Sequence, residues 1–150
     1  MQQGIAAAST AYLHLFKASH GDPGPFNTIF ENGMPAAFID WDGARPGAWM
    51  TDLAYLAWTW CIQSSGNVPV VDQARHLRAV RDGYGRGDAQ TLVESIIRSQ
   101  RQTGDTAARL ATRPAKSDHY YLHQQQAIEW ATSDRQLTEQ NFELFVTALG

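Results

Sequence analysis

A chain of 150 residues, 43% hydrophobic and 11% aromatic, holds enough apolar material for one compact domain over 1–150, and this excludes a disordered chain. The formal net charge of −3 and the scatter of the 12 Lys and Arg exclude a basic face for nucleic acid, while a single cysteine, Cys61, excludes an internal disulfide and fits a reducing compartment. The first residues lack the basic lead and apolar run of a secretory signal, and the most apolar window, 49–62, is short and contains Asp52, so a cytoplasmic protein with no membrane partner is expected.

Residues 4–18 carry Ile5, Ala8, Tyr12, Leu15 and Phe16 at roughly helical spacing, which predicts a helix. Gly21, Pro23, Gly24 and Pro25 then force a loop. Two short apolar runs, 28–30 and 36–40, flank Glu31-Asn32-Gly33-Met34, and an Asn-Gly pair between such runs predicts a β-hairpin. After an irregular stretch over 43–48, Asp52 is expected to cap a helix that runs to about Cys61 with Leu53, Leu56, Ala57 and Trp60 on its apolar face. Further helices are expected from Asp72 to Gly83 or Gly85, from Asp88 to about Gly104, from Asp118 through Glu129, and over about 134–149. The fold class is therefore mainly α, a helical domain carrying one small hairpin.

The chemistry concentrates in His20-Gly21-Asp22-Pro23-Gly24-Pro25-Phe26-Asn27, where a carboxylate and an amide lie five residues apart on a Gly/Pro loop that enters a strand. Phosphoryl transfer asks little covalent help of a protein. It needs a carboxylate to orient the attacking hydroxyl and take its proton, and oxygen ligands to hold magnesium against the phosphates. A turn centred on Asn32-Gly33 pairs Phe30 with Pro35 and sets Asn27 opposite Phe38, with Asp40 on the same face as Phe38. Asn27 and Asp40 are then diagonal neighbours about 7–8 Å apart, a gap that one ion bound by both side chains fits.

The order His-Gly-Asp, four residues, Asn, hairpin, Ile39-Asp40-Trp41-Asp42 resembles the aminoglycoside phosphotransferase and choline kinase family, whose members share the protein-kinase fold. Ala44-Arg45-Pro46-Gly47, Asp52-Leu53-Ala54-Tyr55 and a helical tail with an Arg-containing stretch over 98–101 extend the likeness. The resemblance implies that Asp22 is the catalytic base, that Asn27 and Asp40 hold Mg2+ and through it the phosphates of ATP or GTP, and that His20 and Asp52 support the loop. It also implies a small-molecule hydroxyl acceptor such as an aminoglycoside. The nucleotide-binding lobe of that family, with its strand lysine, has no counterpart before His20, so the chain looks like the helical C-terminal lobe alone. A lobe without its partner leaves an apolar face uncovered, which predicts a homo-oligomer through that face. A non-catalytic remnant or binding module of the same fold is the alternative. A metal-dependent phosphohydrolase using Asp40 and Asp42 leaves the loop at Asp22 unexplained.

Other features read more simply. Asp42 is a second acid toward the metal or else a solvated or Arg45-paired carboxylate, and Trp41, Trp49, Trp58 and Trp60 are expected to pack in the core rather than stack on a ligand. Gly83-Tyr84-Gly85-Arg86-Gly87 lacks the preceding strand of a phosphate loop and reads as a helix stop. His119 and His123 are one helical turn apart without the Glu of a zinc-protease motif, and Cys61 has no evident base. Glu94, Glu129, Asp134, Glu139 and Glu143 are candidates for an amino-bearing acceptor by region only.

Overall fold

The structure is a computed structural model and describes residues 18–114 and 116–150. The helix expected over 4–18 lies outside the described residues except for Ala18, which opens a strand. Strands β1 (Ala18–Ser19), β2 (Thr28–Glu31), β3 (Met34–Phe38) and β4 (Arg45–Pro46) precede five helices, α1 (Trp49–Cys61), α2 (Val70–Tyr84), α3 (Ala89–Ala111), α4 (Asp118–Gln140) and α5 (Phe142–Leu149). The fold is mainly α, with β1 paired to β4 and β2 paired to β3 in two small antiparallel sheets. No described helix is long and apolar enough to cross a membrane.

The helices close around one apolar cluster. Leu53, Ala57 and Trp58 of α1 meet Leu77 of α2, Leu92, Val93 and Ile96 of α3, Ala131 of α4, and Phe145 and Leu149 of α5. α3 packs along α4 and beneath α1, while α5 covers α2. Cys61 belongs to this core; burial pushes its thiol up to about 12, so it is a packing residue and not a nucleophile.

Several boundaries differ from the sequence reading. α1 starts at Trp49 with Ala48 as its N-cap, so Asp52 sits inside the first turn and its carboxylate is released for other partners. α2 starts at Val70, ahead of Asp72, which pairs with Arg75 instead of capping; Gly85, at φ 77°, ends the helix as expected. Asp88 does cap α3 through the Thr91 N–H, but the helix runs past Gly104 to Ala111. A mid-helix glycine costs only about 1 kcal/mol, so α3 tolerates Gly104; a Cβ there would make an ordinary 3.8 Å contact with Ala131 of α4.

Ser117, not Asp118, caps α4, and the expected break between Glu129 and Asp134 is absent. Asp134 explains the continuity. It is fully buried and accepts from the Trp58 indole N–H at 2.8 Å and from the Ser64 amide at 2.7 Å, which fastens the middle of α4 to the end of α1. The Trp58 ring stacks on Trp130 one turn earlier, centroids 4.3 Å apart. Replacing Asp134 by Ala leaves two donors unpaired in the interior and is expected to cost about 2–3 kcal/mol, read as a lowered urea midpoint; an unchanged midpoint overturns this account.

Candidate active site

The loop between β1 and β2 is held from below by Asp52. One carboxylate oxygen accepts from Ser19 Oγ at 2.6 Å and from the Gly21 amide at 2.9 Å, and the other accepts from the His20 amide at 2.7 Å. Its place in the first turn of α1 also suits a negative charge, because the exposed amides there carry partial positive charge. Gly21 has φ 89°, so the backbone favours glycine; a Cβ there would also displace the Arg45 guanidinium, 2.9 Å away. The β1–β4 pairing, which the sequence reading did not include, brings Arg45 and Gly47 against this loop.

His20 is buried and joins the loop to the segment after β3. Its Nε2 lies 2.9 Å from the Ile39 carbonyl, and its Nδ1 accepts from the Asp22 amide at 3.3 Å. A carbonyl carries no proton and an amide must donate, so the imidazole is the Nε2–H tautomer. The ring also packs on Phe38 and Trp41, with centroids 5.7 and 4.5 Å away. One side chain thereby spaces Asp22 from the residue that precedes Asp40.

The hairpin turns at Asn32 and Gly33, both with positive φ, as an Asn-Gly pair favours. Its register corrects the sequence reading. Phe30 pairs with Pro35, but a bulge follows, so that Thr28, and not Asn27, faces Phe38. Proline in a sheet is accommodated at edges and bulges, and the shift falls beside Pro35. Asn27 therefore stands level with Ile39, whose amide donates to the Asn27 carbonyl at 2.9 Å. Asp40 has left the strand for the left-handed region, φ 62° and ψ 60°, so strand alternation does not govern where its carboxylate points. Asn27 and Asp40 are thus not diagonal strand neighbours, although the Ile39–Asn27 backbone bond still brings their segments side by side.

Asn27 donates from Nδ2 to the Asp22 carbonyl at 3.0 Å, which leaves its Oδ1 with no protein donor among the described residues. Asp40 is exposed, and its carboxylate takes part in no ion pair among the described residues. Asp42 is exposed in the following turn, and Arg45 reaches the Gly43 carbonyl at 3.4 Å instead of pairing with it. Hard oxygen donors of this kind suit magnesium, so the residues present fit that ion. No cluster of three or more His, Cys, Asp or Glu forms among the described residues, and His119 and His123 gain no third partner there.

Asp22 opens onto a groove of about 540 Å3 between α1, α3 and α4. Its carboxylate, Thr59 Oγ1 and the Tyr55 ring all approach one point beside Gly24, at 3.5, 3.7 and 3.8 Å from where a Cβ would stand. Burial, then the charge and acceptor oxygens of Asp22, push the Tyr55 phenol well above its ordinary range, so it stays protonated as a donor facing Asp22. Tyr55 and the α3 residues of the groove were not singled out from sequence. Ser99, Gln102, Thr103 and Thr106 recur at i, i+3, i+4 and i+7, a polar stripe that helical periodicity could have flagged.

The acidic residues considered for an acceptor lie elsewhere. Glu94 accepts from Gln90, Asp134 is buried under Trp58, Glu139 faces Arg101 and Arg135, and Glu143 lies beside Val71; Glu129 is exposed outside the groove lining. Of the four tryptophans assigned to the core, Trp58 is there, whereas Trp41 is half exposed over His20.

A loop carrying an unencumbered carboxylate, beside amide and carboxylate oxygens and above a polar groove, is an arrangement suited to group transfer between phosphates and a hydroxyl. The model of the phosphotransferase enzyme family matches residues 16–95, over half of the chain, and the chain belongs to that family. By its description the family is one of phosphotransferase enzymes. A trifolitoxin immunity protein from Rhizobium leguminosarum bv. trifolii is 28% identical over 123 residues, covering 75% of this chain and 46% of that protein. The chain thus spans about half the length of the curated relative it matches. No solved structure matches significantly.

Proposed function

We propose that the chain carries the reaction centre of a small-molecule kinase that moves the terminal phosphate of ATP or GTP to a hydroxyl. The observation that carries the reading is the placement of the Asp22 carboxylate at the mouth of the groove, with its backbone fixed on both sides by His20 and Asn27. Asp22 orients the acceptor hydroxyl and takes its proton as the oxygen bonds to the terminal phosphorus and the bond to the leaving diphosphate breaks. Tyr55 lines the groove beside the carboxylate. Asn27 Oδ1 and the Asp40 carboxylate would hold magnesium, which when bound draws charge from the phosphate oxygens. Asp52 and His20 act through the backbone and touch no reacting atom. An aminoglycoside is the acceptor that the family resemblance offers first.

Binding of nucleotide tests the metal half of this reading. With Mn2+ standing in for Mg2+, Asn27→Ala and Asp40→Ala are each expected to weaken Mn·ATP binding at least about tenfold, measured by calorimetry. Wild-type affinity in both variants overturns the ligand assignment. The second reading is a binding module that retains the fold without turnover. Failure of the wild-type chain to bind Mn·ATP at all supports that reading over the first.

A further inference from the structure

The groove in front of Asp22 has a composition that restricts what it takes. Its lining holds two formal charges, Asp22 and Arg45, of opposite sign. The rest is neutral: hydroxyls and amides from Thr51, Ser99, Gln102, Thr103, Thr106 and Gln124. These come from three helices and offer donors and acceptors to the groove, Gln124 with its NH2 already near His123 Nδ1. Between them lie Ala107, Leu110, Ala127 and the ring of Tyr55, a small apolar floor. The mixture matches a ring or chain with hydroxyls on its rim and C–H groups on its face.

A polycation fits it poorly. Several ammonium groups need several carboxylates, each worth far more in a groove than a hydroxyl or amide partner. Asp22 alone among the described lining residues supplies one, and Arg45 opposes it. No acidic side chain of α3, α4 or α5 is among the lining residues. At about 540 Å3 the groove is roomy enough for one or two sugar rings.

We propose that this groove receives a neutral, polyhydroxylated acceptor of sugar size and discriminates against polyamines such as aminoglycosides. The proposal rests on the reading of Asp22 as the base, which tells why a hydroxyl compound sits there. Its test uses no nucleotide and no turnover, so the two fail separately.

Calorimetry and saturation-transfer NMR on the chain, with D-glucose, maltose and myo-inositol as neutral probes and kanamycin as the polycation, decide it. At least one neutral probe is expected to bind with an affinity unchanged between 50 and 500 mM NaCl, because no ion pair is screened. Gln102→Leu and the near-isosteric Thr106→Val are expected to weaken that binding about tenfold each, with melting temperatures unaltered because both positions border solvent. Three results overturn the proposal: no neutral probe binds, kanamycin binds more tightly than every neutral probe, or both variants keep wild-type affinity. Sugar binding together with turnover that survives loss of Asp22 would leave the groove assignment standing and remove the base assignment.

Discussion

Asp22→Asn is expected to lower ATP-dependent phosphate transfer by about 10²- to 10⁴-fold while leaving the fold intact. The asparagine keeps the size of the side chain and the backbone bonds to His20 and Asn27, which use the Asp22 amide and carbonyl and not its carboxylate. It removes the one carboxylate that lines the groove among the described residues. The exposed side chain contributes little packing, so stability should change by less than about 1 kcal/mol. Transfer of radiolabelled terminal phosphate to the acceptors named above gives the rate, and binding of Mn·ATP gives the control. Retained turnover would falsify the assignment, and loss of nucleotide binding as well would move Asp22 from base to metal site.

Asp52→Ala should act on both stability and rate. Three donors lose their acceptor at once: the Ser19 hydroxyl and the amides of His20 and Gly21. Ser19 and His20 are buried, so water replaces the lost bonds incompletely, and a cost of about 3–4 kcal/mol is expected. The freed backbone lies immediately before Asp22, and a displacement of about 1 Å at a reacting group can cost about 100-fold in rate. Asp52→Asn separates the two effects. Its amide oxygen can serve Ser19 and Gly21, but its NH2 then faces the His20 amide, donor against donor. An intermediate loss in both melting temperature and kcat, with KM for the nucleotide nearly unchanged, is the expected pattern. A wild-type melting temperature for Asp52→Ala would show that the three contacts carry no weight.

The loop and its neighbours were legible because their chemistry is local. His20, Asp22, Asn27 and Asp40 lie within twenty-one positions, and Asn32-Gly33 announces its own turn. What escaped was set by partners distant in sequence. From its residues alone Asp52 looked like a helix cap, and only the family resemblance gave it a place supporting the loop; which groups it holds, Ser19, His20 and Gly21, depends on the β1–β4 pairing, two residues long on each strand. Asp134 looked like the start of a helix for the same reason, and only the indole of Trp58, 76 positions away, explains its burial in the middle of one. The bulge beside Pro35 is a local event, but an alternating pattern predicts no extra residue, so the Asn27–Asp40 register came out one position wrong.

Pro35 has a second consequence, for how the chain survives at high concentration. The hairpin displays Ile29, Phe30 and Met34, the last 67% exposed, on strands that among the described residues pair only with each other. Such a ribbon invites a further strand to add to it and then another, the first steps of an insoluble aggregate. A strand arriving along β3 meets a residue with no N–H to share and a backbone knocked out of step by the adjoining bulge. The irregularity that shifts Asn27 against Ile39 therefore also interrupts the template, and it lets an apolar surface stay open without becoming a seed.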